Sequence, residues 1–394
     1  MTWYMRSRSL CVLLLGLVVA LAGCATHEVQ PELTPRSPEE IFQSGVNALT
    51  KNAYDQAIAD FTEVLRLTPN RVDAYHNRGE AYRLRGEPDR ALADYTQALT
   101  RNPQYAKAYY ARGVVYSGKG AYDEALADYT QALTLDQQFP EAYVSRGIAY
   151  DRGKRDYDRA IADFNQALIL DPNRADAYMN RGIAYKNKRD YNRALADYTQ
   201  AITLNPNYAA AYVNRGVAYD EKGDLDRAIA DYDQALRVQA NLPEAYVNRG
   251  AAYHRKGAYD RAITDYTQAI TLNPNLAPAY YNRGTSYQRK GDPGRAVADY
   301  TQAITLNPRY VEAYTDRGLA YSVQGDYDRA IEDLTQALTI NPKHAVALYH
   351  RAVAWFLKHD YTRAWTDVKR FQQAGGKPDP KFMRDLRRAS GRKN

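Results

Sequence analysis

Six histidines and two cysteines are the whole supply of imidazole and thiol in this 394-residue chain, and their placement suits no metal or nucleophilic centre. His344, His350 and His359 crowd one stretch, but no two stand four residues apart, as a ligand pair on one helical face would. They read as surface residues. Gly113–Gly120 (GVVYSGKG) approaches a phosphate-binding loop, yet it ends in glycine where a serine or threonine hydroxyl must hold magnesium. It also falls on a helix and its end, not between a strand and a helix. Nucleophile-elbow, zinc-protease and paired-cysteine patterns are missing. The chain reads as no enzyme, with no cofactor, no metal and no small-molecule substrate.

What does recur is polar and evenly spaced. Asn77, Asn180, Asn214, Asn248 and Asn282 share one repeating position, with Ser145 and Asp316 as polar substitutes and Ala111 as a gap. A side-chain amide carries both a donor and an acceptor, so it can match a peptide unit without reading the side chain attached to it. The next residue is an arginine, from Arg78, Arg112 and Arg146 through Arg215 to Arg351, and a matching aspartate row runs through Asp60, Asp94, Asp128 and Asp197 to Asp367. The first period has Asp60 but Ser44 in place of arginine. If each aspartate pairs with the arginine of the following period, the first needs none. The expectation is therefore ion pairs across periods, Asp60–Arg78, Asp94–Arg112, Asp197–Arg215 and onward, serving architecture and not chemistry.

The elements that carry these rows are legible from the tyrosines. Tyr75, Tyr109, Tyr143, Tyr178, Tyr212, Tyr246, Tyr280 and Tyr314 are 34 residues apart except for one step of 35, where Asp151–Tyr157 holds an extra residue. Each has a partner seven residues on, from Tyr82 to Tyr321, with glycines between and alanines beyond, and prolines close most periods. Apolar residues within a period recur at spacings of three and four, which places them on one helical face. Gly86, Gly120, Gly223, Gly257, Gly291 and Gly325, and Asn52 in the first period, stand where a first helix ends and a left-handed residue is wanted. No single period can bury its own face, so neighbours must stack into a solenoid. Four repeat positions account for 29 of the 36 tyrosines, which makes the tyrosine stripe core packing and not a platform for stacking bases. Their buried hydroxyls need partners, so an unusually hydrogen-bonded interior is expected.

This pattern resembles the tetratricopeptide repeat, a helix–turn–helix unit of 34 residues. The resemblance implies an all-α, right-handed superhelical solenoid of about ten units over residues 38–378, with unit starts at Pro38, Val72, Ala106, Pro140, Ala175, Ala209, Pro243, Ala277, Val311 and Ala345. In that family, positions 2, 5, 6, 9, 12 and 13 face a concave groove. The asparagine row is then similar to the asparagine ladder of O-linked N-acetylglucosamine transferase repeats, where amides hold an extended polypeptide. Position 5 carries Tyr110, Tyr281 and Tyr349 among other apolar residues, and the lysine and asparagine of the chaperone-type carboxylate clamp are missing. The groove thus suits a peptide or partner helix and not a free C-terminal carboxylate. The last unit departs from the pattern at Ala352 and Trp355. Residues 379–394 read as a capping helix with Asp379 as N-cap, Pro380 first, Phe382, Met383, Leu386 and Ala389 on one face, and Arg384, Arg387 and Arg388 on the other. That basic edge reads as the solvated face of the cap in preference to a contact with anionic lipid.

The net charge of +7 lies at the two ends: +2 in residues 1–23 and +5 from Lys377 onward, leaving the body neutral. A neutral body lacks the phosphate-neutralising face that nucleic-acid binding requires. Arg6 and Arg8 precede an uncharged run from Leu10 to Gly23, too short for a membrane span and suited to a signal peptide over residues 1–23. The run ends in Leu21-Ala22-Gly23-Cys24, which resembles a bacterial lipobox. The resemblance implies cleavage before Cys24 and acylation of that residue. Ala25 in place of aspartate implies the outer membrane, facing the periplasm. Residues 24–37 read as a lipidated, flexible tether. The whole reads as a lipid-anchored scaffold or adaptor binding protein partners in envelope assembly, or as a holdase-like binder of extended polypeptide.

Overall fold

The computed structural model describes residues 36–391, so Cys24 and most of the expected tether lie outside the described residues. Ten helix pairs, A then B, follow one another: Pro38–Thr50 with Tyr54–Leu67, Val72–Arg85 with Pro88–Arg101, Ala106–Gly118 with Tyr122–Leu135, Pro140–Ala149 with Tyr157–Leu170, and Ala175–Asn187 with Tyr191–Leu204. The array continues with Ala209–Glu221 and Leu225–Val238, Pro243–Arg255 and Tyr259–Leu272, Ala277–Arg289 and Pro293–Leu306, Val311–Val323 and Tyr327–Ile340, and Ala345–Leu357 and Tyr361–Gln373. A last helix, Pro380–Ser390, caps the array. Each A helix packs on its own B helix and on the B helix of the unit before. Successive A helices also touch, whereas B helices do not approach one another as closely, so the A helices form the inside of the curve.

The turn between A and B needs a left-handed residue. Gly86, Gly120, Gly223, Gly257, Gly291 and Gly325 supply it with φ between 76° and 87°, and Asn52 does so at 58°. Arg155, Arg189 and His359 adopt the same region without that freedom. The extra residue of unit 4 is absorbed by a π-helical turn over Tyr150–Lys154 at the end of its A helix, and Arg155 then closes the turn. Asp156, Asp190, Asp224, Asp292, Asp326 and Asp360 begin B helices by accepting the backbone N–H three residues on.

Close approach of A and B depends on one glycine and one ring. A Cβ on Gly79, Gly182 or Gly216 would lie 2.6–2.7 Å from the ring of Tyr95, Tyr198 or Tyr232 on the paired B helix. In the last unit Ala352 stands at the glycine position, and there the opposing residue is Val368, also fully buried. The expected saturation of tyrosine hydroxyls holds only in part. Tyr95 donates to Glu80, and Tyr300 donates to Gln288 Oε1 at 2.7 Å, but the Tyr198 hydroxyl is buried without a partner. Its A-helix face offers Ile183, where unit 2 has Glu80 and unit 8 has Thr285.

The arginines grip the aspartates of the row within units and not across them, which corrects the expected Asp60–Arg78 pattern. Arg78 grips Asp94 (Nε–Oδ2 2.7 Å, Nη2–Oδ1 2.8 Å), Arg112 grips Asp128 and Arg215 grips Asp231, each through two parallel bonds. Arg181 holds Asp197 in the same way. These aspartates are only 2–6% exposed. Asp60 takes the Ser44 hydroxyl at 2.8 Å and the Gln56 amide instead. The guanidinium's third nitrogen explains Ser44. Nη1 of Arg78 reaches back to Thr62 Oγ1 of the preceding unit at 3.1 Å, and every later arginine repeats the link, with Asn165 or Asp233 replacing threonine twice. The first unit has no predecessor, so no residue there calls for that nitrogen.

Cross-unit ion pairs exist elsewhere, on the edge formed by the A–B turns. Lys119 reaches Asp89 of the unit before at 2.6 Å and Lys154 reaches Asp123 at 2.5 Å. Lys188–Asp158, Lys256–Asp226, Lys290–Asp260 and Lys358–Asp328 repeat the pair, Arg85–Asp55 opens the row, and Lys222 bonds Asn192 at 2.7 Å. The seam between units 8 and 9 alone lacks the link, because Gln324 and Gly294 occupy the two positions.

Two outcomes follow from this packing. In double-mutant cycles on chemical denaturation, Arg215 and Asp231 should couple by well over 1 kcal/mol, since either single loss strands a buried charge at a cost of about 3–5 kcal/mol. Arg215 and Asp197 should add to within about 0.5 kcal/mol. Gly216→Ala should destabilise by about 1–3 kcal/mol through overpacking. Adding Tyr232→Val, the pairing that Ala352 and Val368 already use, should recover part of that loss in a thermal melt.

Candidate functional site: the groove of the A helices

The inner surface is built from the A helices, and their regular step carries the asparagine row along it. Asn77, Asn180, Asn214, Asn248 and Asn282 are all half-buried. Asn180 Nδ2 donates to Asp176 O at 2.8 Å and Asn214 Nδ2 to Ala210 O at 2.9 Å, each one turn back on its own helix. Asn77, Asn248 and Asn282 make no side-chain hydrogen bond among the described residues. The carbonyl oxygens of all five amides are therefore unengaged there, and three keep their N–H groups as well. Where asparagine gives way to Ala111, the position is buried; where it becomes Asp316, the carboxylate accepts the Tyr281 hydroxyl at 2.8 Å. Burial pushes the Asp316 carboxyl above the usual aspartate range, and the Tyr281 hydrogen bond works against that rise.

The aromatic residues at position 5 are half-buried and sandwiched in the seams. Tyr110 lies with its ring centre 5.9 Å from Tyr129 and 4.8 Å from Phe139, and Tyr281 lies 5.8 Å from Tyr300 and 5.0 Å from Tyr310. Tyr349 is enclosed by Phe371 and Phe382. Each is packed between its own B helix and the following segment. Phe42, Val144, Met179 and Thr315, at the same position, are buried outright.

Along the middle of the groove, polar contacts tie neighbouring A helices together. Asn187 donates to Asp151 at 3.1 Å, Arg255 pairs with Asp220, and His254 Nδ1 meets Ser286 Oγ at 2.8 Å, each across a seam. Between them Lys186 is half-buried with no ion pair or hydrogen bond from its ammonium, and that burial lowers its pKa while Asp151 and Glu221 pull the other way. These contacts were not foreseen from the sequence. The alternation of Asp151, Lys186 and Asp220 at one repeat position was their only signal.

At the C-terminal end, Asp379 caps the last helix by accepting the Phe382 N–H at 2.8 Å. Leu386 is fully buried and Phe382 and Met383 partly so against unit 10, while Ala389 is exposed. Trp365 donates to Ser390 at 3.0 Å. Among the described residues no group of three histidines, cysteines or acids is placed to hold a metal ion, and no helix is long and apolar enough to cross a membrane.

Family profiles for the tetratricopeptide repeat match residues 72–105, 106–139 and 175–208, residues 281–345 and 315–376, and residues 197–230. A related TPR repeat profile matches residues 154–188, 219–257 and 252–291. Among solved structures, a tetratricopeptide repeat protein from Parabacteroides merdae is similar at 23% identity and a TM-score of 0.51, covering 63% of this chain and 98% of its own. The C-terminal part of a TPR repeat-containing protein from Cytophaga hutchinsonii is similar at 18% identity and a TM-score of 0.50, covering 60% and 97%. Both likenesses concern the fold. No curated protein sequence matches the chain. Repeat length, helix pairing and profile matches agree along most of the chain, which belongs to the tetratricopeptide-repeat family of helical scaffolds for protein–protein interaction.

Proposed function

We propose that this chain is a non-enzymatic, lipid-anchored scaffold that holds a partner polypeptide in its A-helix groove at the periplasmic face of a bacterial membrane. The observation that carries the reading is the asparagine row. Five half-buried amides stand on one surface with their carbonyl oxygens unengaged, so the surface can accept N–H groups from a peptide backbone. Individually weak contacts at several units add through effective concentration once one is made. The anchor is argued from Leu21-Ala22-Gly23-Cys24 after a short apolar run, and Ala25 favours the outer membrane. Acylation with more than one chain would hold the protein stably, whereas one chain alone is marginal. An adaptor role in envelope assembly fits few, folded partners. A holdase-like role fits many, extended ones, and the backbone-matching character of amides favours it as the second reading.

Quantitative capture from periplasmic extract separates these readings, using the chain without its first 23 residues beside a variant with all five asparagines changed to alanine. One or two proteins enriched by the parent and lost by the variant support a dedicated adaptor acting through the row. Many unrelated chains lost together support the holdase. Partners retained in full by the variant overturn the role of the row. For the anchor, Cys24→Ser should abolish the mass added by acylation and move the protein from the membrane to the soluble fraction.

A further inference from the structure

The seam between units 8 and 9 departs from the repeat at three positions at once. Helix B of unit 8 opens with Pro293 where seven of the ten units have tyrosine, and the next residue is Gly294 where most have aspartate. From unit 9, Gln324 replaces the lysine that crosses the seam elsewhere. The tyrosine matters because it fills the seam: the Tyr122 ring lies so close to the next unit that a Cβ on Gly153 would be 2.4 Å from it, and Tyr191 packs against a core cluster shared by its own unit and the next. At this seam, with Pro293 in the lining where a tyrosine ring stands in most units, a cavity of about 610 Å³ lies open between the two units. That is the size of pocket that encloses a small ligand or one or two side chains.

Its walls are chemically lopsided. Leu319 and Val323 give an apolar side, and Val323 is 71% exposed, against the norm for a valine on a packed helix. Thr285, Gln288, Arg289 and Asp316 give the polar side. Gln288 spends its amide oxygen on the Tyr300 hydroxyl, which leaves its NH2 as a donor. Asp316 already accepts from Tyr281. Arg289 is exposed and makes no ion pair or hydrogen bond among the described residues. The free donors are the Gln288 NH2 and Arg289, the latter a full positive charge with the planar fork that suits a carboxylate, while Asp316 keeps Oδ1 as an unengaged acceptor beside them.

We infer that this cavity is the specificity subsite of the groove, and that it takes from a partner polypeptide an aliphatic or aromatic side chain next to a carboxylate, the apolar group against Leu319 and Val323 and the carboxylate on Arg289. The inference rests on the protein-binding reading above and adds where a partner's sequence is read, since the amide row reads only backbone.

The test selects phage-displayed random dodecapeptides on the full chain and measures the enriched peptides by fluorescence anisotropy. The comparison proteins are Arg289→Glu and a closed-seam variant, Pro293→Tyr with Gly294→Asp and Gln324→Lys, which installs at this seam the residues that most units carry. Thermal melts of both should match or exceed the parent. The expected result is enrichment of peptides with Asp or Glu beside an aliphatic or aromatic residue, at least tenfold weaker binding to Arg289→Glu, and loss of binding to the closed-seam variant. Peptides that bind the closed-seam variant as well as the parent, or that are basic, overturn the subsite. If those peptides lose affinity when the five asparagines become alanine, the groove reading stands without it. Enrichment of no peptide at all overturns both.

Discussion

Each repeat's arginine is asked to do two things with one rigid fork. Two nitrogens are committed to a nearly buried aspartate of the same unit, and the third projects to the unit before. A guanidinium held this way cannot swivel, because the bidentate bond fixes its plane. The angle at which it meets the previous B helix is then fixed as well, and so is the rotation from one unit to the next. Removing such a charge from water is costly, and the pair is tolerated because both partners are fully engaged. It contributes more to defining one geometry than to raw stability, and the stacking of cores across seams supplies the latter.

Around that link the sequence is organised by volume. Glycine on helix A lets a tyrosine ring of helix B lie against the backbone, and the hydroxyl end of that ring comes out under the groove. The same residue that fills the core therefore shapes the groove floor, and whether its hydroxyl is satisfied depends on which A-helix residue stands above it. Tyr95 and Tyr300 find oxygen acceptors, whereas Tyr198 lies under an aliphatic face and finds none. Variation of groove residues is thus coupled to the interior, which limits how freely the groove surface can change.

Much of this was legible in the residues before any coordinates. The period, the glycine turns, the capping helix at Asp379 and Pro380 and the location of the extra residue all rest on local rules that neighbours reinforce. The arginine–aspartate rows were legible as rows, but the pairing was not. Sixteen residues separate Arg78 from Asp94 and eighteen separate Asp60 from Arg78. Sequence distance does not choose between a contact across one hairpin and a contact across one seam. Ser44 in place of arginine does mark a link across the seam, but the link is the guanidinium's bond back to the preceding unit and not its grip on aspartate. The edge row of Lys119, Lys188, Lys256 and Lys290 carries the same period and was legible in principle, since each lysine stands thirty residues after its partner. The standing of Tyr110 and Tyr281 against the segment leading into the next unit could not be read at all, because it depends on how far one unit rotates over another.

The two kinds of link across a seam respond differently to their surroundings. The arginine side chains are only 13–20% exposed, whereas the lysine–aspartate row lies on an open edge where the Asp260 side chain is 82% exposed, within reach of counterions. Such exposed pairs are worth little each, and added salt weakens them further. The solenoid is therefore an unevenly stiff spring, hinged along its sheltered side and soft along the edge of the turns, with a compliance that rises with ionic strength. Pulled from its ends, such a spring parts where the soft edge has no link, dividing eight units from the last two and the helix that caps them.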